Sequence, residues 1–234
     1  MKESIMKESI IEQTRTSDSS PARKDYELTA DDVVSDASNV ALLICLDVIF
    51  EDDELLAAVA RSSHRHQLGF FKYVLLADSS GRCLRMHYWG RAPDVLEDIH
   101  SHCANFRSRI VLGELTENLF EVTPGAEYSR FRYHFDQNLG HSVAVADGMS
   151  GVNLLESRQL QAGDQYTKSP SELHSVSNVR PGTLTVSAWE ERYSDALVFK
   201  PQDATPEDCV VPVGVPLTQL RAELLEIRKR ILIR

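Results

Sequence analysis

Three histidines offer the clearest chemistry in this chain. His100 and His102 stand two apart in H-S-H, within a run whose residues suit a β-strand. Residues two apart on a strand face the same side, so this spacing predicts two imidazoles aimed into one space. His174 follows later, in P-S-E-L-H-S-V-S-N. A third imidazole from a neighbouring strand would complete a facial set around one metal ion and leave positions open for substrate and oxygen. An H-x-H pair alone is a weak signal, because chance and surface placement produce many of them. The surrounding spacing adds weight: His102 is followed by Phe106 and Gly113, while Gly163, Pro170, His174 and Asn178 form a second group further along. The other histidines carry less. His64 and His66 read as exposed cations closing a helix, His87 and His134 as strand residues, and His141 as a loop residue.

Such a site needs a rigid frame, and the chain supplies strand patterns for one. From Phe70 onward, FFKYVLL, CLRMHYW, SRIVLGE, ENLFEV, SRFRYHF, VNLLESRQL, LHSVSNV, TLTVSAW and ALVF follow one another. Turn signals separate them at Asp78-Ser-Ser-Gly81, Thr123-Pro-Gly125, Asp147-Gly148, Ala162-Gly163-Asp164 and Arg180-Pro-Gly182. Many short strands at this spacing predict a mainly β fold, a small jelly-roll barrel. Before them, residues 29–67 read as helical: Thr29 with Asp31 and Asp32 resembles an N-cap and acidic first turn, and Asp52–Ala60 forms a second helix. After them, Leu217, Leu220, Leu224, Ile227 and Ile231 recur at helical spacing and predict an amphipathic helix packed on the barrel. The expected organisation is a disordered segment over 1–27, a helical region over 28–68, a β-barrel over 69–202 and an extension with the final helix over 203–234. The segment MKESI occurs twice at the start, too short to be a structural repeat.

Composition narrows the partners. A formal net charge of −10 and the lack of a basic run argue against nucleic acid or an anionic membrane surface. The longest apolar run, Val40–Phe50, is interrupted by Asp47 and is too short to span a bilayer. Cys45, Cys83, Cys103 and Cys209 show no CxxC and no dense framework, so they read as reduced thiols of a cytoplasmic protein. The expected partner is a small-molecule substrate, with the chain a monomer or homodimer.

Three stretches carry a family resemblance: HYWG at His87–Gly90, IHSH running into IVLGELTENLF, and LHSVSNV followed by TLTVS. From about Asp52 to Phe199 the sequence resembles the cysteine dioxygenase branch of the cupins, the thiol dioxygenases. The resemblance implies a cupin barrel, one Fe(II) held by His100, His102 and His174, and O2 as co-substrate for oxidation of a thiol to a sulfinate. Many cupins carry a ligand Glu where this chain has Phe106; the thiol dioxygenases do without it. Three neutral ligands leave the full dication charge on the metal, which favours an anionic thiolate.

The chain also departs from that family. Lys72 falls where the arginine that holds the substrate carboxylate is expected, keeping the charge but losing the bidentate fork. Ser187, Trp189 and Glu191 fall on the Ser-His-Tyr relay, and Tyr193 lies two residues beyond the tyrosine's place. Lys72, Phe106, Trp189 and Glu191 are therefore the expected substrate-binding residues, with no catalytic residue assigned beyond the metal ligands. With Glu191 inward and Trp189 as an aromatic wall, the expected substrate is larger than free cysteine and carries a cationic or aromatic portion. Two other functions use the same residues: a non-catalytic cupin that binds a small molecule, and a cupin isomerase or lyase with another divalent metal.

Overall fold

In the computed structural model, residues 28–66, 69–91, 93, 97–136, 141–209 and 213–233 are described. The expectation of disorder over 1–27, with the repeated MKESI, lies outside them. Among the described residues three helices come first: α1 (Ala30–Ser35), α2 (Val40–Glu51) and α3 (Asp53–Ser62). Local chemistry sets their starts. Thr29 and Asp32 form a reciprocal capping box at α1, and Asp52 accepts hydrogen bonds from the backbone of Glu54 and Leu55 at α3.

Eleven strands follow among the described residues: β1 (His64–Arg65), β2 (Phe71–Ala77), β3 (Cys83–Trp89), β4 (Ile99–His100), β5 (Phe106–Leu112), β6 (Glu114–Asp136), β7 (His141–Gln161), β8 (Gln165–Lys168), β9 (Leu173–Ser177), β10 (Thr183–Trp189) and β11 (Ala196–Pro201). One sheet has the order β1-β2-β3-β10-β5-β8 and the other β11-β4-β9-β6-β7, all pairings being antiparallel. The result is a mainly β jelly roll of two antiparallel sheets, with helices before and after the strands among the described residues. Helix α4 (Leu217–Leu232) closes it.

The central strands of the six-stranded sheet, β3, β10 and β5, are largely buried on both faces, and strand alternation divides their work. Leu84 and Met86 of β3, with Leu184 and Val186 of β10, face the helices and meet Val33, Leu42, Leu46, Ile49 and Leu56. Leu220, Leu224, Ile227 and Ile231 of α4 join the same core, each buried. Burying each such side chain contributes roughly 1.5–3 kcal/mol. The other face of β3 presents Cys83, Arg85, His87 and Trp89 to the barrel interior. Arg109 ties the first helix to the barrel: its guanidinium donates to the carbonyls of Val34 (2.8 Å) and Val33 (3.3 Å) and to Asn39 Oδ1 (2.7 Å).

Several expectations need correction. The helical region ends at Ser62, and His64–Arg65 instead pairs with Lys72 and Phe71 as a strand. His64 is accordingly buried rather than an exposed cation. Thr123-Pro-Gly125 and Asp147-Gly148 do not end strands. Both sit within the long β6–β7 hairpin, where register shifts absorb them. At Gly151, opposite this bulge, an added Cβ would come within 2.7 Å of the Thr123 hydroxyl. His141 opens β7 rather than lying in a loop. Among the described residues no helix is long and apolar enough to cross a membrane.

Candidate metal centre

Strand β4 is only two residues long, yet it fixes one corner of the site. His100 pairs across the sheet with His174 of β9 on one side and with Val198 of β11 on the other. His102 lies just past the strand end, not inside a strand as its spacing suggested. Ser101 turns it inward: its backbone N–H donates to Leu197 O (2.8 Å), and its hydroxyl oxygen accepts from Leu197 N–H (2.9 Å). The three rings meet, with centroids 4.8 Å apart for His100–His102 and His100–His174 and 5.0 Å for His102–His174. One ligand nitrogen from each lies within 4.8 Å of the others.

The outer nitrogens of two rings are held by acceptors. His100 Nδ1 donates to the Asp98 carbonyl at 2.9 Å, and His174 Nδ1 donates to Glu117 Oε1 at 3.2 Å. Each contact places the proton on Nδ1 and leaves the Nε2 lone pair facing inward, the orientation a metal-bound imidazole requires. His102 Nε2 stands 2.8 Å from His174 Nε2. With His174 fixed as the Nδ1–H tautomer, that approach needs a proton or a cation between the two nitrogens. A divalent ion fits the donor set, and His100, His102 and His174 would hold it. Burial pushes the His100 pKa down to about 3 and those of His102 and His174 below their ordinary value, so all three rings are neutral near pH 7, as metal ligation demands.

Glu117 is the main residue the sequence reading missed. It is almost fully buried, 1% exposed. Burial raises its pKa, but the hydrogen bond from His174 and the adjacent Lys168 ammonium outweigh that and bring it down to about 2. Lys168 Nζ lies 2.9 Å from Oε1, off the line of a well-aligned hydrogen bond, and Arg158 grips Oε2 from the other side. A signal was available: Glu117 alternates with Leu115 and Leu119, and an acid on an apolar strand face must find partners. Glu97 is a second, half-buried carboxyl. Burial, with Asp98 and Glu117 nearby, pushes it up to about 8, while its Oε2 accepts from Val176 N–H at 2.6 Å.

The expected substrate-binding residues divide. Phe106 meets the His102 ring edge-on at 4.8 Å and stacks on Trp189 at 4.2 Å. Trp189 also lies edge-on to His102 at 5.0 Å, and its indole N–H donates to the Ser187 hydroxyl at 2.8 Å. Lys72 sits half-buried on the interior face of β2, between His64 on β1 and His87 on β3. Burial, then Arg85, pushes its pKa down to about 7. Glu191 is exposed and is not brought to the histidines: β10 ends at Trp189, where Glu190 N–H bonds Asn105 O, so the inward alternation stops there. Tyr193 is exposed too, its hydroxyl donating to Asn105 Oδ1 at 2.9 Å. Arg85, unremarked in the sequence, lies over Trp189 with its guanidinium carbon 4.0 Å from the ring centroid.

Neither a protein-family model nor a curated protein matches the sequence. Solved structures are similar at low identity. An oxalate oxidase in complex with the substrate analogue glycolate is 15% identical, over 66% of this chain and 65% of that one, with a TM-score of 0.34. An RmlC-like cupin from Shewanella frigidimarina is 15% identical, over 64% of this chain and 89% of that one, with a TM-score of 0.31. A DMSP lyase structure is 16% identical, over 52% of this chain and 47% of that one, with a TM-score of 0.30. The chain thus spans less than two thirds of the length of the oxalate oxidase and of the DMSP lyase.

Proposed function

We propose that this chain is a non-haem Fe(II)-dependent cupin oxygenase of the thiol dioxygenase kind, using O2 to oxidise a small thiol or amino-acid-derived substrate other than free cysteine, in a reducing cytoplasm. The observation that carries the reading is the donor set: three convergent neutral imidazoles, with Phe106 at the place where many cupins carry a ligand carboxylate. Bound Fe(II) would supply a site that acidifies a thiol and activates oxygen. The chain's own residues do the rest. Asp98 O and Glu117 fix the tautomers of His100 and His174. Phe106 and Trp189 wall the site with apolar rings and limit water at the reacting centre. Exposed Glu191 gives no inward anion, so the substrate's expected cationic portion has no partner from it.

The test is oxygen uptake. Protein loaded anaerobically with Fe(II) is mixed with mercaptocarboxylates, aminothiols and cysteine, then exposed to air-saturated buffer in an oxygen electrode. Uptake is expected with at least one of these thiols and to be slower with cysteine. Absence of uptake with every thiol, in protein shown to hold its iron, would point to a binding protein or to an isomerase or lyase.

A further inference from the structure

We propose that the outer face of α2 and α4 is a docking surface for a second copy of this chain, and that the two copies meet there as an antiparallel, two-fold dimer. The inference is independent of the metal centre, which lies inside the barrel, across the six-stranded sheet from these helices.

The composition of α2 is the first observation. Of its twelve residues only Asp47 and Glu51 are polar. A helix that is apolar on every side belongs between two packed layers. One layer is present: Ala41, Leu42, Cys45, Leu46 and Ile49 are buried in the core shared with the sheet. The opposite side faces out, with Val40 54% and Ile44 44% exposed. Helix α4 repeats the pattern. Its buried stripe is Leu220, Leu224, Ile227 and Ile231. Away from that stripe Leu225 is 50% and Leu232 56% exposed. Ala222, exposed one turn before Leu225, is small enough to let a facing helix approach closely.

Two ion pairs register the helices. Arg228 of α4 donates from Nε to Asp47 Oδ1 of α2 at 2.6 Å, and Arg221 reaches Asp53 at the start of α3 at 3.1 Å. Later residues of α4 thus stand beside earlier residues of α2 and α3, so α4 runs antiparallel to α2. Leu232 lies one turn beyond Arg228, and Ile44 one turn before Asp47, which brings these two exposed side chains together. The apolar groups therefore form one strip along the two helices, and a strip of this kind on a surface marks an interaction site.

Charge selects the occupant and its orientation. The chain carries a formal net charge of −10, yet Arg228, Lys229 and Arg230 follow one another near the end of α4. At the other end of the strip, where α2 meets α3, Glu51, Asp53 and Glu54 are exposed. The face is thus basic at one end and acidic at the other. When two copies of one face meet, the two-fold axis lies in the plane of contact. An axis along the helices sets like ends together. An axis across them brings each basic end to its partner's acidic end, and the face becomes self-complementary. The two α4 helices then run antiparallel, with Leu225 near the axis and Leu232 away from it.

The experiment is sedimentation equilibrium of the full chain from about 1 μM upward. Helices of twelve and sixteen residues make a face at the small end of stable interfaces, so a concentration-dependent monomer–dimer equilibrium is expected. Leu225→Asp and Ile44→Asp should each raise the dissociation constant about thirtyfold or more. Both side chains are already half exposed, and circular dichroism checks that the variants stay folded. Leu155→Asp, on the β6–β7 hairpin, should leave the dimer unchanged. Orientation is read by cross-linking under mild oxidation: Leu225→Cys should pair with its own copy, and Leu232→Cys much more slowly. A monomer at every concentration would overturn the proposal and leave the face to a different partner. A dimer that Leu155→Asp disrupts and Leu225→Asp does not would overturn it too, placing the contact on the hairpin. Equal cross-linking of the two cysteine variants would contradict the antiparallel arrangement.

Discussion

Two groups of three histidines lie inside this barrel, and they have different chemistry. His100, His102 and His174 converge; His64, His66 and His87 do not bring ligand nitrogens together, although burial pulls their pKa values down as well. The difference lies outside the rings. In the first group Asp98 O and Glu117 hold the outer nitrogens and aim the inner ones. In the second, His64 Nδ1 and His87 Nε2 are buried without partners, beside Lys72 and Arg85. A carboxylate behind an imidazole suits a cation in front of it. Unmatched cations beside imidazoles suit an anion. Histidine content alone distinguishes neither.

The comparison breaks first at Glu117. Glu117→Gln keeps the shape but removes the charge that fixes His174, and it leaves Lys168 and Arg158 without their common partner. Metal affinity is expected to fall about 10–100-fold, the usual effect of losing a partner that orients a ligand. A competition titration with a chromophoric chelator reads this. Unchanged affinity would mean that the carboxylate serves the ion-pair network and not the imidazole.

A smaller effect sharpens the other group. The Lys72 ammonium faces Arg85, Cys83, Cys103, Arg192 and the imidazoles of His64, His66, His87 and His100. Its pKa in the fold, about 7, lies below the 10.5 of a free lysine. Between those values the unfolded chain holds a proton that the folded one lacks, so stability gains from Lys72 as pH rises from about 7 toward about 10.5. Below about 7 the charged form is carried into the fold at a cost. Thermal melts of metal-free wild type against Lys72→Met across this window should show the wild type gaining on the variant. A constant difference would place Lys72 in ordinary solvent.

Much of this was legible where the cause is local. Period-two alternation gave β3 and β10 to their end residues, and the caps at Thr29 and Asp52 are short-range chemistry. The alternation C-x-R-x-H-x-W already put Arg85 on one face with His87 and Trp89; which face is interior depends on the helices that cover the other. Distant pairings were not legible. His64 becomes a strand residue only because β2 lies beside it. The β6–β7 hairpin runs through two turn-forming dipeptides because a long partner strand absorbs them as bulges. An inward Glu191 requires the alternation of β10 to continue, and it ends two residues earlier, at Trp189.

The most direct test of the central claim is metal stoichiometry in paired variants. Wild type, His102→Ala and His87→Ala are purified without a metal-binding tag, loaded anaerobically with Fe(II), desalted and assayed for iron. About one iron per chain is expected in wild type and in His87→Ala, and almost none in His102→Ala. Full iron in His102→Ala, or equal loss in both variants, would contradict the assignment of the metal to His100, His102 and His174.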